Sequence, residues 1–201
     1  MGEETFNPLD KGNLGVSVAD ALLAKKPIPL PLDETFDGAG IYAIYYTGGF
    51  PAYKKIADRN RGGKFDAPIY VGKAIPPGGR KGALDPNSKA GPVLFKRLGE
   101  HAESIRQASG NLGIEDFFCR YLLVDDIWIP LGESLLIQKF APLWNRVVDG
   151  FGNHDPGAGR YSGLCPAWDI VHPGRPWAVK CKPNPRSQAE LLTEIRQALN
   201  G

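Results

Sequence analysis

Apolar positions along this chain switch between a helical and a strand period, and the switches mark out its elements. Val18, Leu22 and Leu23 recur at helical spacing across 14–26, until the proline-rich run at 27–31 ends the pattern. Residues 39–47, AGIYAIYYT, are rich in β-formers and stop at Gly48-Gly49, which predicts a strand. PIYVGKA at 68–74 predicts a second, short strand. The following IPPGGRKGALDPNSKAG (75–91) holds too much Gly and Pro for a regular element. It predicts a loop long enough that function is the better explanation for it than simple connection.

Helical period returns over 92–108, where Leu94, Leu98, Ala102 and Ile105 form an apolar stripe. FFCRYLLVD (117–125) predicts a buried strand, and PLGESLLIQKF (130–140) a helix opened by Pro130 and closed before Pro142. A Gly-rich stretch over 149–186 leads to a last helix, announced by Ser187 and Glu190 at capping-box spacing. The order β-β-α-β-α, without internal repeat, predicts a small core of strands and helices with insertions.

Several residues do not fit this patterning. Arg97 and His101 flank the Leu94/Leu98/Ile105 stripe and, four apart, share one helix face. Glu133 precedes Leu136, Ile137 and Phe140 by three, four and seven, which puts a carboxylate on the apolar stripe itself. Glu is rarely buried without a partner, and an Arg or a divalent metal would serve equally well. Tyr42 and Tyr70 lie inside short strands beside glycine or small residues, where a ligand can approach the backbone, although strand tyrosines are most often packing residues. Taken together, these side chains match the needs of phosphodiester hydrolysis: a metal, a positive group for the phosphate oxygens, and a base for water.

Charge adds a partner class. The net charge is only +2, but residues 53–97 carry eleven Lys or Arg against Asp58, Asp66 and Asp85, a balance of +8. The other 156 residues sum to −6. A second basic stretch, 160–186, holds Arg160, Arg175, Lys180, Lys182 and Arg186 against Asp169. Clustered positive charge on a nearly neutral chain makes a polyphosphate partner plausible, as it does a merely solvated surface. The three cysteines, Cys119, Cys165 and Cys181, are odd in number and scattered, as expected in a reducing compartment. The first twelve residues contain no apolar run of the kind a secretory signal requires, and a cytoplasmic location is expected.

GIY (40–42) and YVG (70–72), followed in order by Arg97, His101, Glu133 and Asn145 in PLWN, resemble the GIY-YIG nuclease superfamily. PLWNRVVDGFGNHDPGAGR (142–160) and WDIVHPGRPWA (168–178) are similar to its branch of type II restriction endonucleases that cut CCGCGG. The resemblance implies an α+β fold with a three-stranded, mainly antiparallel sheet flanked by helices. It places a catalytic core at 38–148 of a single domain and a C-terminal extension at 149–201.

It also implies roles. Glu133 would bind one Mg²⁺, for which Mn²⁺ would substitute. Tyr42 would act as general base with help from His101, Arg97 would stabilise the transition state, Tyr70 would position the phosphate and Asn145 would buttress the site. An unperturbed tyrosine titrates near ~10, so Tyr42 would need its hydroxyl acidified or its proton relayed. Independently of the resemblance, Lys73, directly after YVG, is a further candidate for phosphate contact. Lys54, Lys55, Arg59, Arg61, Arg80 and Lys81, in the segment 53–64 and the loop 75–91, are candidates for DNA contact.

A palindromic site implies double-stranded DNA as substrate, a two-fold homodimer and a separate cognate methyltransferase. Gly99 should weaken the Arg97/His101 helix, and Val71 replaces the Ile of the second half-motif. Alternatives are a DNA-binding module without catalysis, a repair or homing nuclease, and a zinc protein using His154, Cys165, His172 and Cys181, whose irregular spacing disfavours it.

Overall fold

The computed structural model describes residues 10–76, 91–157 and 161–200. Helix α1 (Lys11–Leu23) opens on Asp10, whose carboxylate accepts from the Gly12 amide at 2.7 Å. Then follow β1 (Ile28–Pro29), β2 (Gly40–Tyr46), α2 (Lys54–Asn60), β3 (Pro68–Ala74), α3 (Val93–Gln107) and β4 (Phe117–Leu123). Helices α4 (Ile129–Phe140), α5 (Leu143–Arg146), α6 (Ala167–Val171) and α7 (Gln188–Asn200) complete the chain. The capping box at the head of α7 is formed: the Ser187 amide donates to Glu190 at 2.7 Å, and the Glu190 amide to the Ser187 hydroxyl at 3.3 Å. Helix α3 runs unbroken through Gly99, whose missing side chain faces open space.

The sheet has four strands in the order β1-β4-β2-β3, every pairing antiparallel, where three strands are expected from the sequence. The extra strand is two residues long, with Ile28 opposite Cys119 and Pro29 opposite Phe118. So short a segment among prolines shows no period of its own; the free edge of β4 recruits it.

Strand β2 lies inside the sheet and is buried along its whole length. Its side chains alternate, with Tyr42, Ile44 and Tyr46 entering one apolar layer and Ile41, Ala43 and Tyr45 the other. The first layer is closed by α3 through Leu94, Leu98 and Ile105, and by Trp144, Phe151 and Trp168. The second is closed by α1 and α4 through Ala19, Leu22, Ile129 and Leu136. The Gly-rich stretch after 149 therefore does not hang off the fold, because Phe151, Trp168 and Val171 sit in the same layer as the β2 tyrosines.

Two buried polar devices hold the connections. Asn60 closes the excursion between β2 and β3 by donating to the carbonyls of Tyr46 (2.9 Å) and Ala67 (2.8 Å) and accepting from the Ala67 amide at 2.9 Å. In the second device, Asn111 donates its amide to the Val171 carbonyl, so its oxygen accepts from His172 Nδ1 at 2.8 Å. His172 Nε2 is then the acceptor for the Tyr53 hydroxyl at 2.6 Å, whose oxygen in turn accepts from Trp144 Nε1 at 2.9 Å. Both ring nitrogens of His172 are thus engaged, which removes it from any zinc site with His154, Cys165 and Cys181.

Burial pushes His172 down to about 3. Between that value and the ordinary ~6.5, the unfolded chain binds a proton that the folded chain refuses, so stability falls as pH falls through this window. The contribution is fully present above the unfolded value and is lost at about 1.4 kcal/mol per pH unit below it. Unfolding free energies from urea titrations between pH 7 and 5 should drop at least that steeply, and His172→Gln should lessen the slope by about that amount.

Candidate active site

Strand β3 is the edge of the sheet, and its two faces feed one site. Its Tyr70 side chain packs with the α3 layer, while Lys73 reaches Glu133 on α4, which covers the opposite layer. An edge strand leaves backbone groups without strand partners. Asn145 on α5 supplies them: its side-chain oxygen accepts from the Val71 amide and its NH₂ donates to the Val71 carbonyl, each at 2.8 Å. The bidentate clasp stands where another strand would pair and fixes the height of YVG against α5.

Tyr42 and His101 meet inside the site. The Tyr42 hydroxyl lies 2.6 Å from His101 Nε2, both residues are buried, and their rings are 5.3 Å apart between centroids. Tyr70 completes an aromatic triangle, at 6.2 Å from Tyr42 and 5.2 Å from His101. Gly72 makes room for it, since a Cβ there would fall 2.4 Å from the Tyr42 oxygen.

Burial above all pushes the Tyr42 hydroxyl well up; the charges of Tyr70 and Glu133 add to this and Arg97 opposes it. Tyr70 is raised for the same first reason, with Arg97 pulling it back. Burial first, then the nearby Arg97, His154 and Arg175, hold His101 well below its ordinary range. A protonated tyrosine thus faces a neutral histidine, and the natural direction of their bond is from the hydroxyl to Nε2. Burial moves Tyr42 away from the acidity a free-standing base would need.

Arg97 is largely buried and firmly placed. Its Nη2 donates to the Gly152 carbonyl at 2.6 Å, and its Nη1 contacts Glu100 at 2.9 Å and the His154 ring. Gly152 is also obligatory, because a Cβ there would meet the Tyr70 oxygen at 2.5 Å and Arg97 at 3.3 Å. Phe151 stacks on His101 with centroids 4.5 Å apart and planes 18° from parallel.

The side-chain partner of Glu133 is a lysine, in place of the arginine weighed from the sequence. Lys73 Nζ lies 2.6 Å from its carboxylate, which is 18% exposed. Beside them a cavity of about 620 Å³ opens, lined by Lys73, Lys96, Arg97, Gly152 and His154 among others.

Tyr42, Tyr70, Lys73, Arg97, His101 and Glu133 therefore converge, with Asn145 as their brace. The segment 53–64 does not join them. Lys54 pairs with Asp58, Lys55 donates to the Leu199 carbonyl at the end of α7, and Arg59 approaches the Asp66 carbonyl at 3.5 Å. Arg61 secures the end of β2 through the carbonyls of Thr47 (2.8 Å) and Gly48 (2.5 Å), so its guanidinium is already occupied. Arg80 and Lys81 lie outside the described residues. Sequence reasoning missed Phe151 and Gly152 as site residues and weighed His154 only as a zinc ligand; the nearest signal was the run GFGNHD following PLWN.

Over residues 34–199 the sequence matches the family described as the Eco29kI GIY-YIG domain. The chain belongs to this family. Its namesake is a restriction endonuclease recognising CCGCGG. The Eco29kI-type match takes in both half-motifs and the whole C-terminal stretch through most of α7, and it makes this a restriction-type nuclease domain with DNA as its partner. No curated protein gives a significant match. Among the described residues, no helix is long and apolar enough to cross a membrane.

In this Eco29kI-family site the Tyr42–His101 bond depends on Gly72. Gly72→Ala should displace the tyrosine ring and cost roughly 1–3 kcal/mol as an overpacked core does. The imidazole ¹⁵N resonance of His101 Nε2 should move toward that of a free neutral ring, and an unchanged resonance would show that the two residues are not coupled.

Proposed function

We propose that this protein is a type II restriction endonuclease that hydrolyses double-stranded DNA at a short palindrome, CCGCGG, with one Mg²⁺. The observation that carries the reading is the buried Tyr42–His101 pair, with an anchored Arg97 and the Glu133 carboxylate both close enough to act on the Tyr42 hydroxyl. Among the described residues, no three His, Cys, Asp or Glu side chains gather as a cage for a metal. The Glu133 carboxylate, paired with a lysine that lines the cavity, can nonetheless give Mg²⁺ an oxygen ligand, with water and a substrate phosphate completing the shell. Glu133 would hold it, and bound there it would supply Lewis-acid polarisation of the scissile phosphate.

The remaining work falls to the chain's own residues. Water gives its proton to the Tyr42 oxygen as the tyrosine passes its own to His101 Nε2, so that no free tyrosinate has to form in a buried site. Arg97 neutralises charge on the phosphate. As DNA brings negative charge beside Arg97 and His154, it offsets the cations that depress His101, and the relay acceptor becomes more basic when substrate is present. Tyr70 and Lys73 position the phosphate, and a two-fold homodimer would place one such site on each strand.

Purified protein incubated with supercoiled plasmids with and without CCGCGG, in Mg²⁺ or EDTA, tests this directly. Discrete linear product is expected only with the site and Mg²⁺, and Glu133→Gln should lower the rate by at least about a thousandfold, as loss of the metal site demands. Cutting of both plasmids would overturn the sequence specificity; a well-folded, DNA-binding protein that cuts neither in any metal would overturn the enzyme.

Lys73 and a metal ion compete for one carboxylate. Lys73→Met should therefore bind Mn²⁺ several-fold more tightly in the absence of DNA, as read by titration calorimetry or the electron paramagnetic resonance of free Mn²⁺. Unchanged or weaker binding would mean that the ion pair does not restrain Glu133.

A further inference from the structure

Arg175 is 1% exposed, 24 residues beyond Phe151, and lies in the part of the chain that sequence periodicity leaves irregular. All five of its N–H donors are used. Nε and Nη2 bind the two oxygens of Asp169 at 2.7 and 2.5 Å. The other three donate to the carbonyls of Gly150 (2.9 Å), Phe151 (3.1 Å) and Asn153 (3.1 Å). The guanidinium is sandwiched between the Trp168 and Trp177 indoles, 4.6 Å from each ring centre.

The gripped segment carries two contacts to the site: Phe151 stacked on His101, and the Gly152 carbonyl that anchors Arg97. Gly152 is the one residue of 150–153 whose carbonyl Arg175 leaves free, and that carbonyl goes to Arg97.

A buried ion pair is weak grounds for stability, because desolvating both charges offsets most of their attraction and apolar residues often do as well. A flat fork holding three carbonyls of one four-residue segment is better explained by the geometry it imposes. Lys, with a point charge and three donors, cannot reproduce it.

We infer that Arg175 is a positioning residue of the nuclease site: through the 150–153 segment it sets the stacking of Phe151 on His101 and the carbonyl that aims Arg97. The catalytic half of the inference rests on the proposed nuclease function; the positional half does not. Arg175 touches neither the phosphate cavity's Lys73 nor Glu133, so DNA and metal affinity should survive its loss while the chemical step suffers. Displacements of about an ångström at a catalytic group cost on the order of a hundredfold in rate.

The test is Arg175→Lys in the full chain, its fold checked by circular dichroism and cooperative melting. His101 ring protons, shifted by the stacked Phe151, are read by NMR without DNA. Single-turnover cleavage is measured at saturating DNA, and DNA affinity with Ca²⁺ replacing Mg²⁺. The His101 shifts should move toward unstacked values and the rate should fall more than about tenfold, with DNA affinity kept within about threefold.

A folded variant with wild-type His101 shifts and wild-type rate overturns the proposal, as does a DNA affinity that falls in step with the rate. If the wild-type protein cuts no DNA, the nuclease function fails and the NMR arm alone decides the positioning. If Arg175→Lys does not fold, Trp177→Leu, which removes the more exposed indole of the sandwich, is judged by the same criteria with a smaller expected loss.

Discussion

The two hydrogen bonds exchanged between Asn145 and Val71 set the frame on which the site is built. An unpaired β3 edge would be free to breathe or to recruit another strand, and a neighbouring strand would bury the very residues that must meet the substrate. A side-chain amide satisfies one amide and one carbonyl without covering Tyr70 or Lys73. With the edge fixed in this way, Gly72 comes close enough to β2 for the Tyr42 hydroxyl to pass and reach His101. It also brings Lys73 to Glu133 from the other layer. The site is where two apolar layers meet around one strand edge.

Burial does most of the electrostatic tuning there, and it acts on acid and base in opposite senses. It keeps Tyr42 protonated and His101 neutral, which defines one direction for the hydrogen bond and leaves the pair uncharged until substrate arrives. The cations around His101 reinforce this, and phosphate is the natural counter-charge for them. Charge placement and substrate are therefore complementary. The site is held in a resting arrangement by its own residues, with Lys73 on Glu133 and Glu100 on Arg97.

The C-terminal stretch completes the site instead of decorating it. Phe151 and Gly152 touch His101 and Arg97, and Arg175 with Asp169 holds their segment from behind. The family match, which runs on through this stretch to residue 199, agrees with a unit that includes it. A shorter α/β core ending near Asn145 would contain the residues of the GIY-YIG pattern but would lack the wall against which two of them are set.

Local chemistry along the chain determined the main elements, though not β1 or the short helices α2, α5 and α6. The apolar stripe of α3, the β-rich run of β2, and the Ser187/Glu190 cap each depend on neighbours within a turn or two, so the sequence by itself was enough to place them. It also singled out Tyr42, Tyr70, Arg97, His101 and Glu133, because polar groups on apolar stripes stand out against the period. What only the tertiary structure decided was who meets whom. Tyr42 and His101 are 59 residues apart, Val71 and Asn145 are 74, and Arg97 and Gly152 are 55. Such pairs are selected by the packing of helices on both faces of a sheet. Nothing in local period distinguishes Lys73 from an Arg as the partner of Glu133, or marks Arg175 as buried where Lys180 and Lys182 are exposed. Burial of a charge is a property of the folded interior, and only the fold could reveal it.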